Sequence, residues 1–270
     1  MNPLRLLCVL AHPDDETLGC GGVLAKYAAE GVETFLVTAT RGERGRIGTE
    51  RPGPAVVGPV REAELRRAVE VLGIRELHLL DYMDGELDRA DPREAISKIA
   101  AIARRIRPQV VVTFGSEGAY GHIDHIAISQ LTGAALVAAA DPGFTAASGI
   151  ELPAATHAVA KLYWMVETRK TWDAYQHAFG ELVYRVDGGE RRAVPWPEWE
   201  VTTFVDTSAH RETIWRAVDC HQSQITGYSR LRELSPADQA ALWNEQTFYR
   251  VLSLVNGGRE PERDLFAGLR

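Results

Sequence analysis

Residue types that bind metal ions are concentrated in two short stretches of the 270-residue chain, residues 11–16 and residues 120–125. The first reads Ala-His-Pro-Asp-Asp-Glu and the second reads Tyr-Gly-His-Ile-Asp-His. Each comes after an apolar run long enough for a buried strand, so both are expected at the carboxyl ends of strands, where open α/β sheets place their binding sites. The two stretches are therefore expected to meet in the folded protein.

The chemistry that these residue types permit is that of a hydrolytic metal centre. Zinc in such a centre typically has three protein ligands and keeps one position for water. His12, Asp15 and His125 provide two histidines and one carboxylate, a set that suits zinc. The metal would lower the pKa of its bound water and polarise a carbonyl group. Asp14 would take the proton of that water and deliver it to a leaving amine.

The second stretch contains two more residues with a candidate chemical role. Asp124 is placed to hold a histidine through its second ring nitrogen. We interpret His122 as that imidazole, which then stabilises a tetrahedral intermediate as a cation. Taken singly, such residues are typical of capped turns, but two clusters at matching strand ends favour a metal site.

A different metal chemistry matches part of the same pattern. His12, Asp14 and His125 also fit the two-histidine, one-carboxylate set of non-haem iron oxygenases. The alternation of strands and helices speaks against this interpretation, because that set would be expected in an all-β barrel.

Alternating apolar runs and helical patterns predict the elements that position these residues. Continuous apolar runs predict strands over residues 4–10, 34–38, 77–80 and 110–114. Apolar residues at three- and four-residue spacing predict helices over residues 18–29, 62–72 and 94–106. This alternation predicts an α/β fold with a Rossmann-like parallel sheet and helices on both faces, built by residues 1–140.

Residues 141–270 follow a different pattern and are predicted to form a smaller α+β extension, which completes the sheet and closes over the site within a single compact unit. Strands are predicted over residues 161–166, 182–186 and 201–205. Ser208 is predicted to cap a helix that ends near residue 222, and Ser235-Pro236 to open a last helix that ends near residue 255. Four aromatic residues are candidates either for stacking on a sugar or for core packing: Trp172, Tyr175, Trp196 and Trp199.

Two glycine-rich segments bear on ligand binding. Residues 41–59 are predicted to form a long loop on the same rim as His12, in which Arg41 and Glu43 are candidates for substrate binding. Gly19-Cys20-Gly21-Gly22 comes too late after the first strand to cradle a pyrophosphate, and the chain lacks GxGxxG there, so dinucleotide binding is disfavoured. These glycines are expected to let a helix pack closely against the sheet.

Composition disfavours several partners. The net charge of -7 argues against a nucleic-acid surface. No secretion signal is evident in the first residues, and the longest weakly polar run, residues 131–140, is too short to span a bilayer. Cys8, Cys20 and Cys220 lack CxxC spacing and are expected to be buried thiols in a reducing compartment. We therefore expect a cytoplasmic protein without a membrane or nucleic-acid partner.

Together, the two stretches are similar to the motifs of the LmbE-like, or PIG-L, family of N-acetylglucosaminyl deacetylases, which includes the enzymes that deacetylate glucosamine precursors of mycothiol and bacillithiol. The agreement extends to three further segments: Thr40-Arg41-Gly42-Glu43, Arg61-Glu62-Ala63-Glu64-Leu65 and Cys220-His221-Gln222-Ser223-Gln224. The family usually has proline where this chain has Ile123. Isoleucine removes a restraint on the backbone φ angle but leaves every reacting group in place.

The resemblance implies a Rossmann-like fold and one zinc ion per chain, with another divalent metal such as Fe²⁺ as the alternative. It implies the following roles: His12, Asp15 and His125 as metal ligands, Asp14 as general base, His122 with Asp124 behind it and Tyr120 at the oxyanion, and Arg61 in contact with the substrate. His221 and Gln224 match the terminal motif of the family and are expected to be structural or near the rim.

The leading hypothesis is a zinc-dependent hydrolase that removes the N-acetyl group from an N-acetylglucosamine-type amino sugar or its glycoside. An alternative is an amidase that acts on a thiol conjugate or another N-acyl substrate with the same metal centre. A sugar-binding protein without activity is less favoured, because binding alone does not require Asp14 beside the metal. The expected partner is a small amino-sugar substrate, and assembly into a homo-oligomer is left open.

Overall fold

The structure, a computed structural model, describes residues 3–186, 188–258 and 260–270. Its strands are β1 (Arg5–Leu10), β2 (Glu33–Thr40), β3 (Glu76–Tyr82), β4 (Val110–Phe114), β5 (Lys161–Met165), β6 (Val183–Val186), β7 (Gly189–Arg192), β8 (Thr203–Asp206) and β9 (Glu245–Ser253). Its α-helices are α1 (Asp15–Leu18), α2 (Gly21–Ala29), α3 (Pro54–Leu72), α4 (Pro92–Ile106), α5 (Gly118–Gly121), α6 (Ile123–Ala140), α7 (Arg169–Phe179), α8 (Arg211–Val218), α9 (Ile225–Arg232) and α10 (Pro236–Trp243). Short 3₁₀ turns lie at Leu87–Arg89, Glu198–Glu200, Ser208–His210 and Gln222–Gln224.

The main sheet has seven strands in the order β3-β2-β1-β4-β5-β9-β8. Neighbouring strands from β3 to β5 are parallel, whereas β9 is antiparallel to both β5 and β8. All residues of β4, and all but the first of β1, are buried, as expected for strands covered by helices on both faces. The predicted α/β fold is confirmed, with the correction that the sheet is mixed at one side.

The pairing of β1 with β4 determines where the two motif stretches lie. Leu6 pairs with Val110 and Cys8 pairs with Val112. Because the two strands run in the same direction, the segments that follow them leave the sheet at the same edge. The segment after β1 enters α1, and the segment after β4 enters α5 and α6.

Helix α6 is the longest apolar segment of the chain that the structure describes as a helix. It is longer than the run of residues 131–140 that the sequence indicated, and its 18 residues have the length and composition of a membrane span, with a mean hydropathy of 1.3. However, 56% of this helix is buried inside the protein. It packs against α4, β1 and β4, and carries Asp124 and His125 in its buried first turn. These are the properties of a core helix.

The prediction of one long helix after Ser235 is wrong in its second half. Ser235 does cap a helix, because its hydroxyl accepts a hydrogen bond from the Asp238 amide at 3.1 Å. That helix, α10, ends at Trp243, and the following residues form β9 between β5 and β8. The Thr-Phe-Tyr sequence at residues 247–249 is typical of strands. Pairing of this segment with β5 and β8 inside the sheet makes it a strand instead of a helix.

Other helix boundaries also differ from the predicted ones. Helix α3 starts at Pro54 instead of residue 62, with proline in the first turn, where its missing N–H is tolerated. The predicted first helix is broken between α1 and α2, and the helix expected from Ser208 to residue 222 is reduced to α8. The loop that follows β2 is therefore shorter than predicted.

The expected close packing of the early glycines is confirmed at two positions. A Cβ atom built on Gly19 would lie 2.9 Å from the sulfur of Met165, at the end of β5. One built on Gly22, at the start of α2, would lie 2.6 Å from Cβ of Thr207. Thr207 is fully buried, and its hydroxyl donates to the Trp243 carbonyl at 2.8 Å. The absence of a side chain at Gly22 allows α2 to approach Thr207, and its absence at Gly19 leaves room for Met165.

We predict that Gly22→Ala lowers the free energy of unfolding by about 1–3 kcal/mol, because overpacking a filled core costs about that much. Gly133→Ala in α6 is the matched control, since no atom outside its local helix lies within 4 Å of the added Cβ. The control should be neutral or stabilising by about 0.5–1 kcal/mol. Urea unfolding followed by circular dichroism measures both, and equal effects would contradict the packing role of Gly22.

Candidate metal centre and active site

The three predicted metal ligands meet at the edge of the sheet. His12 Nδ1 lies 3.2 Å from His125 Nε2. One carboxylate oxygen of Asp15 lies 3.6 Å from His12 Nδ1, and the other lies 3.5 Å from His125 Nε2. The two motif stretches therefore place two imidazoles and one carboxylate within reach of a common point, as their strand positions predicted.

The other ring nitrogen of His12 faces two carboxylates. Nε2 lies 3.0 Å from Asp124 Oδ2 and 3.2 Å from Asp84 Oδ1. Asp124 also accepts backbone N–H bonds from Gly85 at 2.6 Å and Leu87 at 3.1 Å. Hydrogen bonding at Nε2 assigns one proton to that atom, so Nδ1 is the ring nitrogen that faces Asp15 and His125 and is available to a metal ion.

The expected pairing of Asp124 with His122 is corrected by this geometry. The Asp124 carboxylate holds His12, whereas its backbone amide donates to His122 Nδ1 at 3.2 Å. His122 is thereby the N-cap of α6. The Asp124 carboxylate, in the first turn of α6, points toward His12, so it does not reach back to His122, the residue that caps α6.

The cap also accounts for Ile123. This residue is the first of α6, a position where proline is favoured because its N–H would have no partner in the helix. In this chain the start of α6 is defined instead by His122, whose Nδ1 accepts a hydrogen bond from the Asp124 amide. The segment that carries His122 and Asp124 is ordered without the proline.

His122 is a neutral donor in this environment. Burial, followed by the charge of His12, lowers the pKa of His122 to about 4. Because Nδ1 accepts the Asp124 amide, the proton lies on Nε2. The sequence predicted a cation at this position, and the structure instead places a neutral imidazole beside the His12 and His125 rings, 4.7 and 4.8 Å away between centroids.

The region contains more negative than positive charge, which favours a bound cation. Burial raises the pKa of Asp15 to about 7, with the charge of His12 opposing and that of Asp14 adding to the shift. Burial also opposes protonation of His12, but hydrogen bonds to Asp124 and Asp84 outweigh it and raise its pKa. A proton on His12 thus provides positive charge among these carboxylates. A divalent cation that displaced this proton would provide the same kind of charge, so the donor set fits a metal ion.

Asp14 has a strained backbone and a well-held carboxylate. Its φ angle is +105°, in the region that residues other than glycine rarely adopt. Its Oδ2 accepts hydrogen bonds from the Tyr228 hydroxyl at 2.5 Å and from Arg61 Nη2 at 2.8 Å. Strain of this kind at a cavity wall is typical of functional positions.

Arg61 lies behind Asp14 and outside the lining of the cavity described below. Its guanidinium is buried and also donates to the carbonyls of Pro13 and Gly42. Any side chain at Gly42, where φ is +64°, would overlap the guanidinium. The predicted substrate contact of Arg61 is therefore replaced by an ion pair with Asp14.

Arg41 and Glu43 likewise contact protein groups. Arg41 forms ion pairs with Glu62 at 2.5 Å and Asp81 at 2.7 Å. Glu43 accepts bonds from the backbone amides of Arg41 at 3.1 Å and Asp84 at 3.3 Å. Neither residue lines the cavity, so these positions do not support a direct substrate contact.

A cavity of about 540 Å³ opens beside the candidate metal centre. Asp14, Asp15, Tyr120 and His125 line the end nearest the centre. Much of its remaining wall comes from the loop after β2, from α7 and from α9, and most of the surface is apolar, with Arg46 and Arg230 as charged lining residues. The volume is sufficient for a small-molecule substrate, and one end of the cavity lies at the candidate metal-binding residues.

The predicted aromatic candidates divide between the cavity and other environments. Trp172 and Tyr175 on α7 line the cavity and also belong to a buried cluster. Trp196 lies against Glu117 and donates to its carboxylate at 3.0 Å. Trp199 is 82% exposed. Stacking on a ligand in this cavity is therefore open to Trp172 and Tyr175 only, among these four residues.

Comparison with known proteins agrees with this geometry. The family model described as PIG-L, GlcNAc-PI de-N-acetylase, matches residues 7–136, the part that carries both motif stretches. The 1D-myo-inositol 2-acetamido-2-deoxy-alpha-D-glucopyranoside deacetylase of Kineococcus radiotolerans is 33% identical, over 99% of this chain and 83% of that protein. This chain belongs to the PIG-L family.

Solved structures support the assignment of the fold. A conserved protein from Thermus thermophilus matches with a TM-score of 0.66 and 28% identity, over 94% of this chain and 97% of that chain. The N,N'-diacetylchitobiose deacetylase from Pyrococcus horikoshii matches with a TM-score of 0.65 and 20% identity, over 93% of this chain and 84% of that chain. The fold that this chain shares with these two structures extends over nearly its whole length.

Sequence reasoning missed Asp84 and Tyr228. Asp84 follows β3 at the same sheet edge as His12, so the rule that identified His12 would also have identified Asp84. Tyr228 lies in α9, more than two hundred positions from its partner Asp14, and no motif surrounds it. Only the folded structure brings it to the site.

We predict that Tyr228→Phe lowers kcat for deacetylation about tenfold, because one hydrogen bond to a charged group contributes about 1.5–3 kcal/mol. Tyr175→Phe is the matched control, since this second cavity tyrosine donates to the Leu18 carbonyl at 3.2 Å and not to Asp14. Steady-state kinetics on the metal-loaded proteins measures both. Equal kcat values for the two variants would remove Tyr228 from the support of Asp14.

Proposed function

We propose that this protein is a zinc-dependent hydrolase that removes the acetyl group from an N-acetylglucosamine-type amino sugar, releasing acetate and a free amine. The observation that carries this proposal is the convergence of His12, Asp15 and His125 with Asp14 at one end of a substrate-sized cavity. Membership of the PIG-L family and the activity of the Kineococcus relative supply the reaction type.

The metal ion would be held by His12 Nδ1, the carboxylate of Asp15 and His125 Nε2. The ligand atoms of two different groups all lie within 4.8 Å of one another: His12 with His122 and His125, and His12 with Asp84 and Asp124. We favour His12, Asp15 and His125 over these groups because Asp124 and Asp84 already accept several N–H donors, and because His122 Nδ1 caps α6. When bound, zinc lowers the pKa of water and polarises a carbonyl group.

Asp14 acts as general base and then as general acid. Both of its protein hydrogen bonds end on Oδ2, which leaves Oδ1 available to the attacking water. Oδ1 takes the proton of that water and passes it to the nitrogen of the leaving amine. Arg61 and Tyr228 hold the carboxylate in one orientation during both transfers.

His122 and Tyr120 stabilise the negative charge that develops on the amide oxygen. His122 lies outside the cavity lining but beside the His12 and His125 rings, and its neutral ring presents an N–H donor at Nε2. Burial, together with the nearby charges of Asp15 and Asp14, raises the pKa of Tyr120, so its hydroxyl stays protonated. Donors that are fixed before the reaction stabilise such charge at little reorganisation cost.

The cavity accommodates more than the acetyl group and one sugar ring. We propose a glycoside of N-acetylglucosamine as substrate, with the inositol glycoside named for the Kineococcus relative as the first candidate. The reaction would take place on a small molecule in the cytoplasm. The largely apolar far wall supports a second candidate, an amidase that acts on a thiol conjugate with the same metal centre.

We expect zinc-loaded protein to release acetate from the inositol glycoside of N-acetylglucosamine, and Asp14→Asn to lower kcat about 10²–10⁴-fold while it keeps its zinc, the range typical of a lost general base. Asp219→Asn, which alters an exposed ion pair with Arg232, is the matched control and should be fully active. Activity of Asp14→Asn would exclude it as the base. Release from a thiol conjugate alone would establish the amidase, and release from neither would favour a sugar-binding protein.

We expect His12→Ala to reduce bound zinc from one equivalent per chain to a small fraction, because two ligands rarely retain zinc. His78→Ala is the matched control, since His78 pairs with Glu76 and Arg105 on the outer side of β3. Metal analysis after dialysis measures the content. A full equivalent of zinc in His12→Ala would contradict the ligand assignment.

A further inference from the structure

Glu16 and His221 form a buried pair directly behind Asp14. Both side chains are completely inaccessible to solvent. His221 Nε2 lies 2.8 Å from Glu16 Oε1, and the Thr17 hydroxyl donates to the same oxygen at 2.6 Å. The other oxygen, Oε2, accepts the backbone amide of Asp14 at 2.8 Å. The pair therefore connects the terminal motif of the chain to the backbone of the general base.

The amide of Asp14 needs such a partner because of its conformation. Asp14 precedes α1 with φ +105° and ψ -25°, and its side chain points to Arg61 and Tyr228 instead of capping the helix. A left-handed residue of this kind costs free energy unless its surroundings hold it. Arg61 and Tyr228 hold the carboxylate. The peptide before Asp14 is held by Arg61 at the Pro13 carbonyl and by Glu16 at the Asp14 amide.

Burial of the Glu16 carboxylate requires a polar partner of its own. A buried carboxylate without hydrogen bonds would be strongly unfavourable. His221 provides a ring nitrogen from the segment after α8, 205 positions away in sequence. Without His221, Glu16 would be drawn away from the Asp14 amide toward another partner.

We propose that Glu16 and His221 are positioning residues that hold Asp14 in its left-handed conformation and so direct Oδ1 at the attacking water. This role rests on the proposed function of Asp14. It gives a role to His221 within Cys220-His221-Gln222-Ser223-Gln224, a segment next to the site that contributes none of the proposed metal ligands.

The test compares three variants of the zinc-loaded enzyme. Glu16→Met and His221→Leu should lower kcat about 10–100-fold, since displacing a reacting group by about 1 Å can cost about 10² in rate. KM should change less than about threefold, and zinc content should not change, because the substrate and metal contacts remain. Glu16→Gln should recover most of the rate, because its amide oxygen can still accept the Asp14 N–H.

A matched control separates positioning from general stability. Glu262→Met removes a second buried pair, with Lys161 at 2.6 Å, at a distance from the candidate site. This variant should lower the melting temperature at least as much as Glu16→Met but leave kcat unchanged. Equal kcat values in Glu16→Met and Glu262→Met at equal folded fractions would overturn the proposal.

A crystal structure of Glu16→Met provides a readout that does not depend on activity. We expect the φ angle of Asp14 to leave the positive region, or its carboxylate to move away from Tyr228. An unchanged Asp14 would overturn the positioning role even in an enzyme that acts on another substrate. Absence of acetate release by the wild-type protein, with Asp14 displaced in the variant, would instead count against the proposed function alone.

Discussion

The parallel pairing of β1 with β4 is the interaction on which the site depends. It brings two segments far apart in sequence to one edge of the sheet, and His12 Nδ1 to within 3.2 Å of His125 Nε2. A sheet that is buried on both faces has little freedom in register, because a slip of one residue would turn every side chain to the opposite face. The distance between the two imidazoles is thus fixed by the packing of an apolar core and not by the polar groups themselves.

The same edge gathers carboxylates that the folded protein must accommodate. Asp14, Asp15, Asp84 and Asp124 lie together with Arg61 as the permanent cation among these residues. Burial and like charges raise the pKa of Asp15, which shows that the arrangement is unfavourable for stability when no further cation is bound. Under the proposed function, this cost in stability is offset because the cluster would hold a metal ion and a general base.

The sequence predicts the parts of this structure that local pattern determines. Continuous apolar runs identify β1 and β4, and the polar residues after them identify the ligands. The course of the chain after residue 243 is not predictable in this way, because β9 becomes a strand through pairing with β5 and β8. The partner of Asp124 could not be predicted either, since three histidines lie nearby and the start of α6 decides which one its carboxylate meets.

Arg41, Glu43 and Arg61 belong to the motif segments but do not line the cavity, so their positions do not support a role in substrate selection. All three contact protein groups: Arg41 pairs with Asp81, Glu43 accepts the Arg41 amide, and Arg61 holds Asp14, the proposed base. The far wall of the cavity comes from loops and from α7 and α9, elements that tolerate change more readily than the sheet. There, burial raises the pKa of Glu167 to about 8, with the Thr171 hydroxyl opposing and the charge of Glu117 adding to the shift, so a proton is retained near neutral pH. A protonated Glu167 in this wall can donate a hydrogen bond to a hydroxyl group of a ligand, whereas Arg46 and Arg230 on the same wall can bind an acceptor or an anion.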